Sequence, residues 1–399
     1  MFAHVFGQQG VTELLEGDII QEELPQALLF SGERYTGKMT AALETSRVLH
    51  CREGGLPGCS CRRCTEARYL TDPFTMVYAN REFLTLFDAA AESYLRSPNE
   101  ATRILVSRGV NLLLKRFDVM WTPSRDALEK QFGSALESLT EHMELFLSAD
   151  DRKQEQQKKH LDTMRRQLAK LDGSIKSCNI PVESLRTLQG WLSTKPGDRR
   201  AVVVIEGVDR FAEASKHALL KFLEEPPPGV TVILITEGRG RIIPTILSRV
   251  RTYHFQQRSD DDKERVIRDV YFQDPDDYDS LNTFFLSLGG IDCRWIREEV
   301  QQLTEGMLDA REYDHERTDA FLAKIDEQQL LEHVIREYAQ VLQEYREASR
   351  ITADQEQRLW EVLTRCWAGQ TVMNQRESLV MESCLYQMAE IMKEQERRR

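Results

Sequence analysis

The fold is decided by the stretch Pro25-Gln-Ala-Leu-Leu-Phe-Ser-Gly-Glu-Arg-Tyr-Thr-Gly-Lys-Met39. Its first part, 25–30, is apolar enough for a buried strand, and 31–39 is a glycine-containing loop. The Ala- and Leu-rich run 40–50 predicts a helix, and another helix is expected before the strand, at 11–24. Strand, loop and helix in this order provide the context that a phosphate-binding loop requires.

The sequence on the carboxyl side of this stretch predicts a parallel sheet. Further strands are expected at 72–78, 201–205 and 231–235. A helix at 215–225 separates the last two strands and ends at Pro226-Pro-Pro228, because proline cannot continue a helix. Strands that alternate with helices indicate a parallel sheet covered by helices on both faces.

Two other stretches are predicted to be helical throughout. The first, from about 80 to 178, has helical spacing over 82–96, 110–117, 125–147 and 150–171, and we interpret it as an insertion. The second begins after about residue 256 and is helical to the end of the sequence. Its segments 328–348, 352–367 and 375–394 have the apolar stripes of a small bundle.

Length and charge narrow the class of protein. The 399 residues are enough for two or three domains at roughly 150 residues each. The net charge of −12 excludes nucleic-acid binding through bulk positive charge, so any such contact must come from a local patch. No apolar run approaches the roughly 18 residues that span a bilayer, and the amino terminus lacks the pattern of a secretory signal. We therefore expect a cytoplasmic protein with no membrane partner.

The loop matches the pattern G-x-x-x-x-G-K, but Met39 stands where a Ser or Thr should follow. A thioether cannot replace a hydroxyl as a ligand of Mg²⁺, a hard cation that takes oxygen ligands. Thr40 is adjacent, but one residue along a helix its side chain is turned by about 100°. The candidates for contact with phosphates are Gly32, Gly37 and Lys38.

The acidic motif after the strand at 201–205 is altered as well. In Val203-Val-Ile-Glu-Gly-Val-Asp209, Glu206 is placed to approach Mg²⁺, but Gly207 has no side chain where a second acid would orient the attacking water. Asp209 lies beyond the strand end and is interpreted as a capping or turn residue. The sequence therefore predicts a degenerate nucleotide site that does not hydrolyse ATP, and it leaves ATP binding itself open.

Four of the eight cysteines form a cluster, Cys51-x7-Cys59-x-Cys61-x2-Cys64. Four thiolates within fourteen positions suit the tetrahedral coordination of structural zinc, although the one-residue gap is tighter than usual. The alternative is a set of free thiols in a reducing compartment. The other cysteines are scattered and are predicted to be core residues: Cys178, Cys293, Cys366 and Cys384.

Several motifs in a fixed order resemble the bacterial replication clamp-loader family, the AAA+ subunits of the DNA polymerase III holoenzyme. They are Phe6-Gly-Gln8, Leu24-Pro-Gln-Ala-Leu-Leu-Phe-Ser-Gly32, the cysteine cluster, Ile180-Pro-Val-Glu-Ser-Leu-Arg186, Ala218-Leu-Leu-Lys-Phe-Leu-Glu-Glu-Pro-Pro-Pro228 and Ile246-Leu-Ser-Arg-Val-Arg251. They cover 1–75 and 180–255, and the tail adds only its helical character and Asn374-Gln-Arg-Glu-Ser-Leu379. The insertion between them is not typical of the family.

The resemblance implies an architecture. Residues 1–255 would form an α/β AAA+ module, a parallel sheet with flanking helices, with a zinc hairpin at 51–64 and the helical insertion at about 80–178. All-α domains would follow, a lid at 256–310 and an oligomerising collar at 311–399.

The resemblance also implies a function. Met39 and Gly207 make the chain look like the delta-prime type, a stator without ATPase activity of its own. Arg249 would be an arginine finger reaching the ATP site of a neighbouring subunit, although Val250 replaces the usual cysteine, and Thr236 would lie at the sensor position. Partners would be the gamma/tau motor subunits, the delta subunit, the sliding clamp and, through the complex, primed DNA.

Two alternatives remain open. One is a motor subunit of gamma or tau type that hydrolyses ATP with Lys38, Thr40 and Glu206. The other is an AAA+-derived scaffold outside replication, for which the insertion would be the partner surface.

Overall fold

The computed structural model describes residues 1–121, 125–150, 152–175, 179–194, 200–278, 280–288, 290–308, 315–328, 330–373 and 375–393. The chain forms two compact units, an N-terminal unit Met1–Gly289 and a C-terminal unit Gly290–Arg399. This division differs from the three domains expected from the sequence, with boundaries at 255 and 310. The assignments of lid and collar stay predictions.

A five-stranded parallel sheet lies in the N-terminal unit. The strands are β1 (Ala27–Ser31), β2 (Thr75–Tyr78), β3 (Ala201–Glu206), β4 (Val230–Thr236) and β5 (Arg251–His254). Their order is β2-β3-β4-β1-β5, and every neighbouring pair is parallel. The predicted parallel sheet is confirmed. The edge strand β5 was missed, because a short strand with one buried residue carries little apolar signal.

Among the described residues of the N-terminal unit, twelve α-helices accompany the sheet. They are α1 (Gln9–Ile20), α2 (Lys38–His50), α3 (Arg62–Tyr69), α4 (Phe83–Arg96), α5 (Glu100–Leu114), α6 (Arg125–Ser148), α7 (Gln154–Asp172), α8 (Val182–Thr194), α9 (Glu213–Glu224), α10 (Pro244–Leu247), α11 (Asp260–Arg265) and α12 (Leu281–Leu288). A π-helical turn, Val266–Val270, continues α11. Sheet and helices in this order confirm the predicted α/β class.

Helices α4 to α7 form the predicted insertion, and they belong to the core of the N-terminal unit. Phe87, Leu113, Phe146 and Leu168 are buried in the same cluster as Phe30 of β1. Helix α5 begins at a capping box, in which Asn99 Oδ1 accepts from the Thr102 backbone N–H at 3.1 Å and Thr102 Oγ1 accepts from the Asn99 N–H at 3.1 Å. The insertion is therefore packed onto the sheet domain and shares its hydrophobic core.

The C-terminal unit contains helices α13 (Cys293–Leu308), α14 (His315–Gln328), α15 (Leu331–Glu347), α16 (Ala353–Met373) and α17 (Glu377–Lys393). Their apolar stripes meet in a common core that includes Val300, Tyr338, Leu363 and Met381. This confirms the predicted all-α character of the tail.

Two of the scattered cysteines, Cys366 and Cys384, are buried in this core as predicted, whereas Cys293 is only partly buried. Cys178 lies outside the described residues, as does Asn374 of the tail motif. Among the residues that the structure describes, no helix combines the length and the apolar composition needed to cross a membrane.

The ring of Phe30 lies in β1, the strand between β4 and the edge strand β5. It is fully buried and packs on Tyr253 and Phe255, with ring centroids 5.7 and 5.1 Å away. We expect Phe30→Ala to lower the free energy of unfolding by about 3–5 kcal/mol, because the lost ring leaves a cavity. Equilibrium urea unfolding measures this change. Leu14→Ala, at a position 57% exposed, is the control and should change it by about 0.5 kcal/mol or less.

Candidate functional site

The phosphate loop connects the carboxyl end of β1 to the start of α2. Two of its residues have backbone conformations that favour glycine, with φ of 150° at Gly32 and 95° at Gly37. A Cβ atom at residue 32 would run into the Phe255 carbonyl oxygen, and one at residue 37 would lie 2.7 Å from an Arg258 guanidinium nitrogen. The tight loop therefore requires both glycines.

The ammonium group of Lys38 turns back into its own loop. Nζ donates to the Gly32 carbonyl oxygen at 2.6 Å, to the Glu33 carbonyl oxygen and to Thr36 Oγ1 at 3.3 Å. The residue is buried, and burial lowers the pKa of the ammonium to about 8. Loop oxygens thus accept the hydrogen bonds that Lys38 would otherwise donate to a phosphate.

The outer side of the loop is covered by residues that follow the sheet. Arg258 donates to the carbonyl oxygens of Tyr35 and, at 3.0 Å, of Phe6. Burial lowers the pKa of this guanidinium to about 10. Tyr35, at φ of 58°, stacks on Phe285 of α12 with centroids 4.6 Å apart. Arg258 and Phe285 therefore cover the phosphate loop.

Met39 and Thr40, the two residues after Lys38, have different surroundings. Both line the cavity beside the loop, but the Met39 side chain is buried in the hydrophobic core, whereas Thr40 is partly exposed. The Met39 thioether contains no oxygen and therefore provides no oxygen ligand for a metal ion.

Glu206, the predicted metal-binding acid, is paired with an arginine. Arg81 Nε donates to Glu206 Oε2 at 3.0 Å, Arg81 Nη2 donates to Oε1, and the Asn80 backbone N–H donates to Oε2 at 3.0 Å. Burial alone would raise the pKa of Glu206, but the Arg81 charge and these hydrogen bonds hold it below its ordinary value. The carboxylate is therefore ionised and already occupied.

Gly207 follows with φ of 76°, a left-handed conformation that strains any residue with a side chain. A Cβ atom there would lie 3.3 Å from the Asn80 side-chain nitrogen. An acid that orients water is thus missing from this position, and the local backbone does not favour one.

Thr236, at the end of β4, is engaged within the protein. Its Oγ1 donates to Asp209 Oδ1 at 2.8 Å and accepts from the Gly238 N–H at 3.1 Å. Asp209 is buried in the 3-10 turn Val208–Arg210, which agrees with its interpretation as a turn residue. The sensor role of Thr236 stays a prediction.

A cavity of about 380 Å³ brings most of these groups together. Its volume is within the usual range of ligand pockets. Five of the residues that line it are Gly37, Lys38, Arg81, Glu206 and Thr236. It continues between α2 and the insertion helices α4 and α5, past Leu43, Leu86 and Ile104.

Arg249 lies outside this cavity, directly after α10. Its Nη1 donates to the Thr245 carbonyl oxygen at 2.8 Å, and its Nη2 donates to Glu224 Oε1 at 2.9 Å. The side chain is about one third exposed. Arg249 therefore presents at the surface a guanidinium that Glu224 holds in position.

The four clustered cysteines meet in space. The Sγ atoms of Cys51, Cys59, Cys61 and Cys64 all lie within 4.8 Å of one another. Cys51 Sγ is 3.7 Å from Cys59 Sγ and 4.0 Å from Cys61 Sγ. Metal–sulfur bonds of about 2.3 Å in a tetrahedron place sulfur atoms about 3.8 Å apart. The cluster thus fits a tetrahedral metal ion.

Arg47 of α2 supports this cluster and was missed by the sequence analysis. It is 1% exposed, and Nη1 donates to Cys64 Sγ at 3.4 Å and to the Leu56 carbonyl oxygen at 3.2 Å. Its other nitrogens donate to the carbonyl oxygens of Gly55 and Met1, both at 3.1 Å, and to Glu44 at 2.8 Å. Only the helical position of Arg47, four residues before Cys51, could have suggested this role.

Comparison with known proteins finds similarity to subunits of DNA polymerase III. A family model described as DNA polymerase III, delta subunit, matches residues 138–259, which run from within α6 through β5. Bacillus subtilis DNA polymerase III subunit delta' is 23% identical over 250 residues, which are 62% of this chain and 47% of that protein. The chain is related to the clamp-loader subunits of DNA polymerase III.

The match spans about half the length of the Bacillus subtilis relative. A solved structure of a DNA polymerase III gamma subunit-related protein from Thermotoga maritima is 17% identical and covers 54% of this chain and 81% of its own. Its TM-score of 0.33 is too low to argue from.

The buried Lys38 provides a test by pH. Its pKa falls from the ordinary 10.5 to about 8 on folding, so burial is costly while the amine is protonated and becomes cheaper as pH rises from about 8 to 10.5. Relative to Lys38→Met, the wild type should therefore gain free energy of unfolding over this pH range. Paired urea titrations measure the difference, and a constant difference would show that Lys38 is solvated.

Proposed function

We propose that this chain is a delta-prime-like subunit of the bacterial replicative clamp loader, a stator without ATP hydrolysis of its own. The observation that carries the proposal is the loss of both hydrolytic groups at one site. Met39 is buried in the core where a metal-binding hydroxyl belongs, and Gly207 offers no side chain to position water. The relationship to clamp-loader subunits supports the assignment to replication.

The contribution of the chain to catalysis would be made on a neighbour, through Arg249. A guanidinium is permanently charged and forks onto phosphate oxygens, so it can stabilise a transferring phosphoryl group from across an interface. Support comes from its placement, held by Glu224 at the surface and outside the cavity of its own subunit. The partners would be gamma/tau motor subunits, the delta subunit, the sliding clamp and primed DNA, in the cytoplasm.

Reconstitution with motor subunits tests the arginine finger. Arg249→Ala should slow ATP turnover at the adjacent motor site by about 10³-fold, because arginine fingers contribute about this much to phosphoryl transfer. Steady-state ATPase and clamp-loading assays of the complex would show the loss of the activity that this motor site contributes. The matched control is Arg251→Ala, which removes an arginine paired with Asp18 at 3.1 Å. Equal activity of the Arg249→Ala and Arg251→Ala complexes would reject the role.

An ATP-hydrolysing subunit of gamma or tau type is the second candidate, favoured by one observation. Thr40 lines the cavity together with Lys38, so a hydroxyl does lie beside the loop. The two candidates differ in the isolated chain, where the stator has no Mg²⁺-dependent ATPase. Turnover that disappears in Lys38→Ala would establish the second candidate. A chain that binds neither clamp nor motor subunits would instead be a scaffold outside replication.

We further propose that the cysteine cluster holds structural zinc. Four thiolates at near-tetrahedral spacing satisfy all four positions of Zn²⁺ and leave none open for a substrate. The ion would hold the hairpin 51–64 against α2, where Arg47 already contacts it. Zinc here would stabilise the fold and take no part in chemistry.

Substitution of Arg47 distinguishes a metal site that this residue supports from four thiols that are merely adjacent. Wild type purified without chelator should contain about one zinc per chain, and Cys64→Ser should lose most of it. Arg47→Met should weaken zinc binding by about 10- to 100-fold, because groups bonded to metal ligands orient them. Chelator competition measures the affinity, and Arg62→Met, at a side chain 90% exposed, is the control. Wild type with less than about half an equivalent would contradict zinc binding.

A further inference from the structure

Arg81 lies where the chain leaves β2 and enters the insertion. Its two nitrogens and the Asn80 backbone N–H provide three donors to the two carboxylate oxygens of Glu206. The pair lines the same cavity as Lys38, and both side chains are partly buried. A forked guanidinium on a carboxylate is the strongest geometry that an ion pair adopts in proteins.

The position of Glu206 in the sheet indicates what the Arg81–Glu206 pair replaces. It ends β3, between β2 and β4, where the acid of a nucleotide-hydrolysing phosphate-loop protein helps to hold Mg²⁺. Here both oxygens are occupied by Arg81 and Asn80, and Met39 adds no oxygen ligand. The residues present therefore do not fit a Mg²⁺ ion, and a positive charge already stands in its place.

Three other cations near the loop also bind protein groups. Lys38 donates to loop oxygens, and Arg258 donates to two carbonyl oxygens. Arg34 pairs with Glu237 at 3.3 Å and with Glu82, the residue after Arg81, at 3.5 Å. Two consecutive residues at the start of the insertion thus bind the acid of β3 and the phosphate loop.

We propose that Arg81 is a tethered replacement for the metal ion of the nucleotide site. It is a positioning residue that keeps the phosphate loop and the end of β3 folded without Mg²⁺ or nucleotide. This gives the insertion a function, since it supplies the cation that other phosphate-loop proteins take from solution. The inference rests on the proposed non-hydrolysing role and explains how this site is stable without a metal ion.

Removal of the Arg81 guanidinium should lower the stability of the protein. Arg81→Met keeps an apolar stem but leaves a partly buried carboxylate unpaired, which is strongly destabilising. The melting temperature of the full chain should fall by about 5 °C or more. The double variant Arg81→Met/Glu206→Gln removes both charges and should recover most of this loss, because an uncharged pair needs no compensating ion.

Magnesium provides the readout that a merely structural arginine would not affect. In Arg81→Met, Glu206 becomes available as a ligand, so millimolar Mg²⁺ with ADP should raise the melting temperature by about 3 °C or more relative to EDTA. The wild type and the double variant should show no such shift. Arg210→Ala is the matched control, since Arg210 lines the same cavity and its charge acts on Glu206, but no hydrogen bond joins the two among the described residues.

Three outcomes would overturn the inference. They are a melting temperature of Arg81→Met equal to that of the wild type, a double variant as unstable as the single one, and an equal Mg²⁺–ADP shift in wild type and Arg81→Met. If Arg81→Met folds poorly, Arg81→Lys takes its place in the test. This variant keeps the positive charge without the forked guanidinium, so its melting temperature should lie between those of the wild type and Arg81→Met. Wild-type ATPase activity would instead reject the non-hydrolysing role, so the two failures are distinguishable.

Discussion

The burial of β1 is the constraint on which the N-terminal unit depends. This strand pairs with β4 on one side and β5 on the other, and all five of its residues are buried. A strand buried on both faces and paired at both edges cannot shift its register without exposing apolar side chains and breaking two ladders. The sheet therefore holds the loop at the carboxyl end of β1 and the start of α2 in place without help from any ligand.

The phosphate loop uses this rigid support in an unusual way. In a working site the backbone and lysine wait for phosphate oxygens, and a metal ion neutralises the charge. Here protein oxygens take the Lys38 donors, and Arg81 takes the Glu206 carboxylate. Arg81 compensates the charge of Glu206, whereas Lys38 has only neutral oxygens as partners and retains a desolvation penalty that lowers its pKa to about 8. The loop thus has two positions that favour glycine, while its lysine and the nearby acid bind protein groups.

A second support enters through the same helix. Arg47 is nine residues after Lys38 in α2, and its buried guanidinium reaches the cysteine hairpin and the first residue of the chain. The phosphate loop and the cysteine cluster are thus attached to opposite ends of one helix. A metal ion at the cluster would stabilise the helix that carries the loop, even with no nucleotide bound.

The parts of this protein that depend on neighbouring residues follow from the amino-acid sequence alone. The strand, loop and helix from Pro25 to His50, the four cysteines, and the losses at Met39 and Gly207 can all be predicted, because apolar periodicity and motif spacing act over short distances. Only the tertiary structure decided the pairing of Arg81 with Glu206, 125 residues apart, and the contact of Arg258 with Tyr35, 223 residues apart. An exposed and a paired arginine have the same sequence signal, and packing of distant segments alone brings the partner within hydrogen-bond distance.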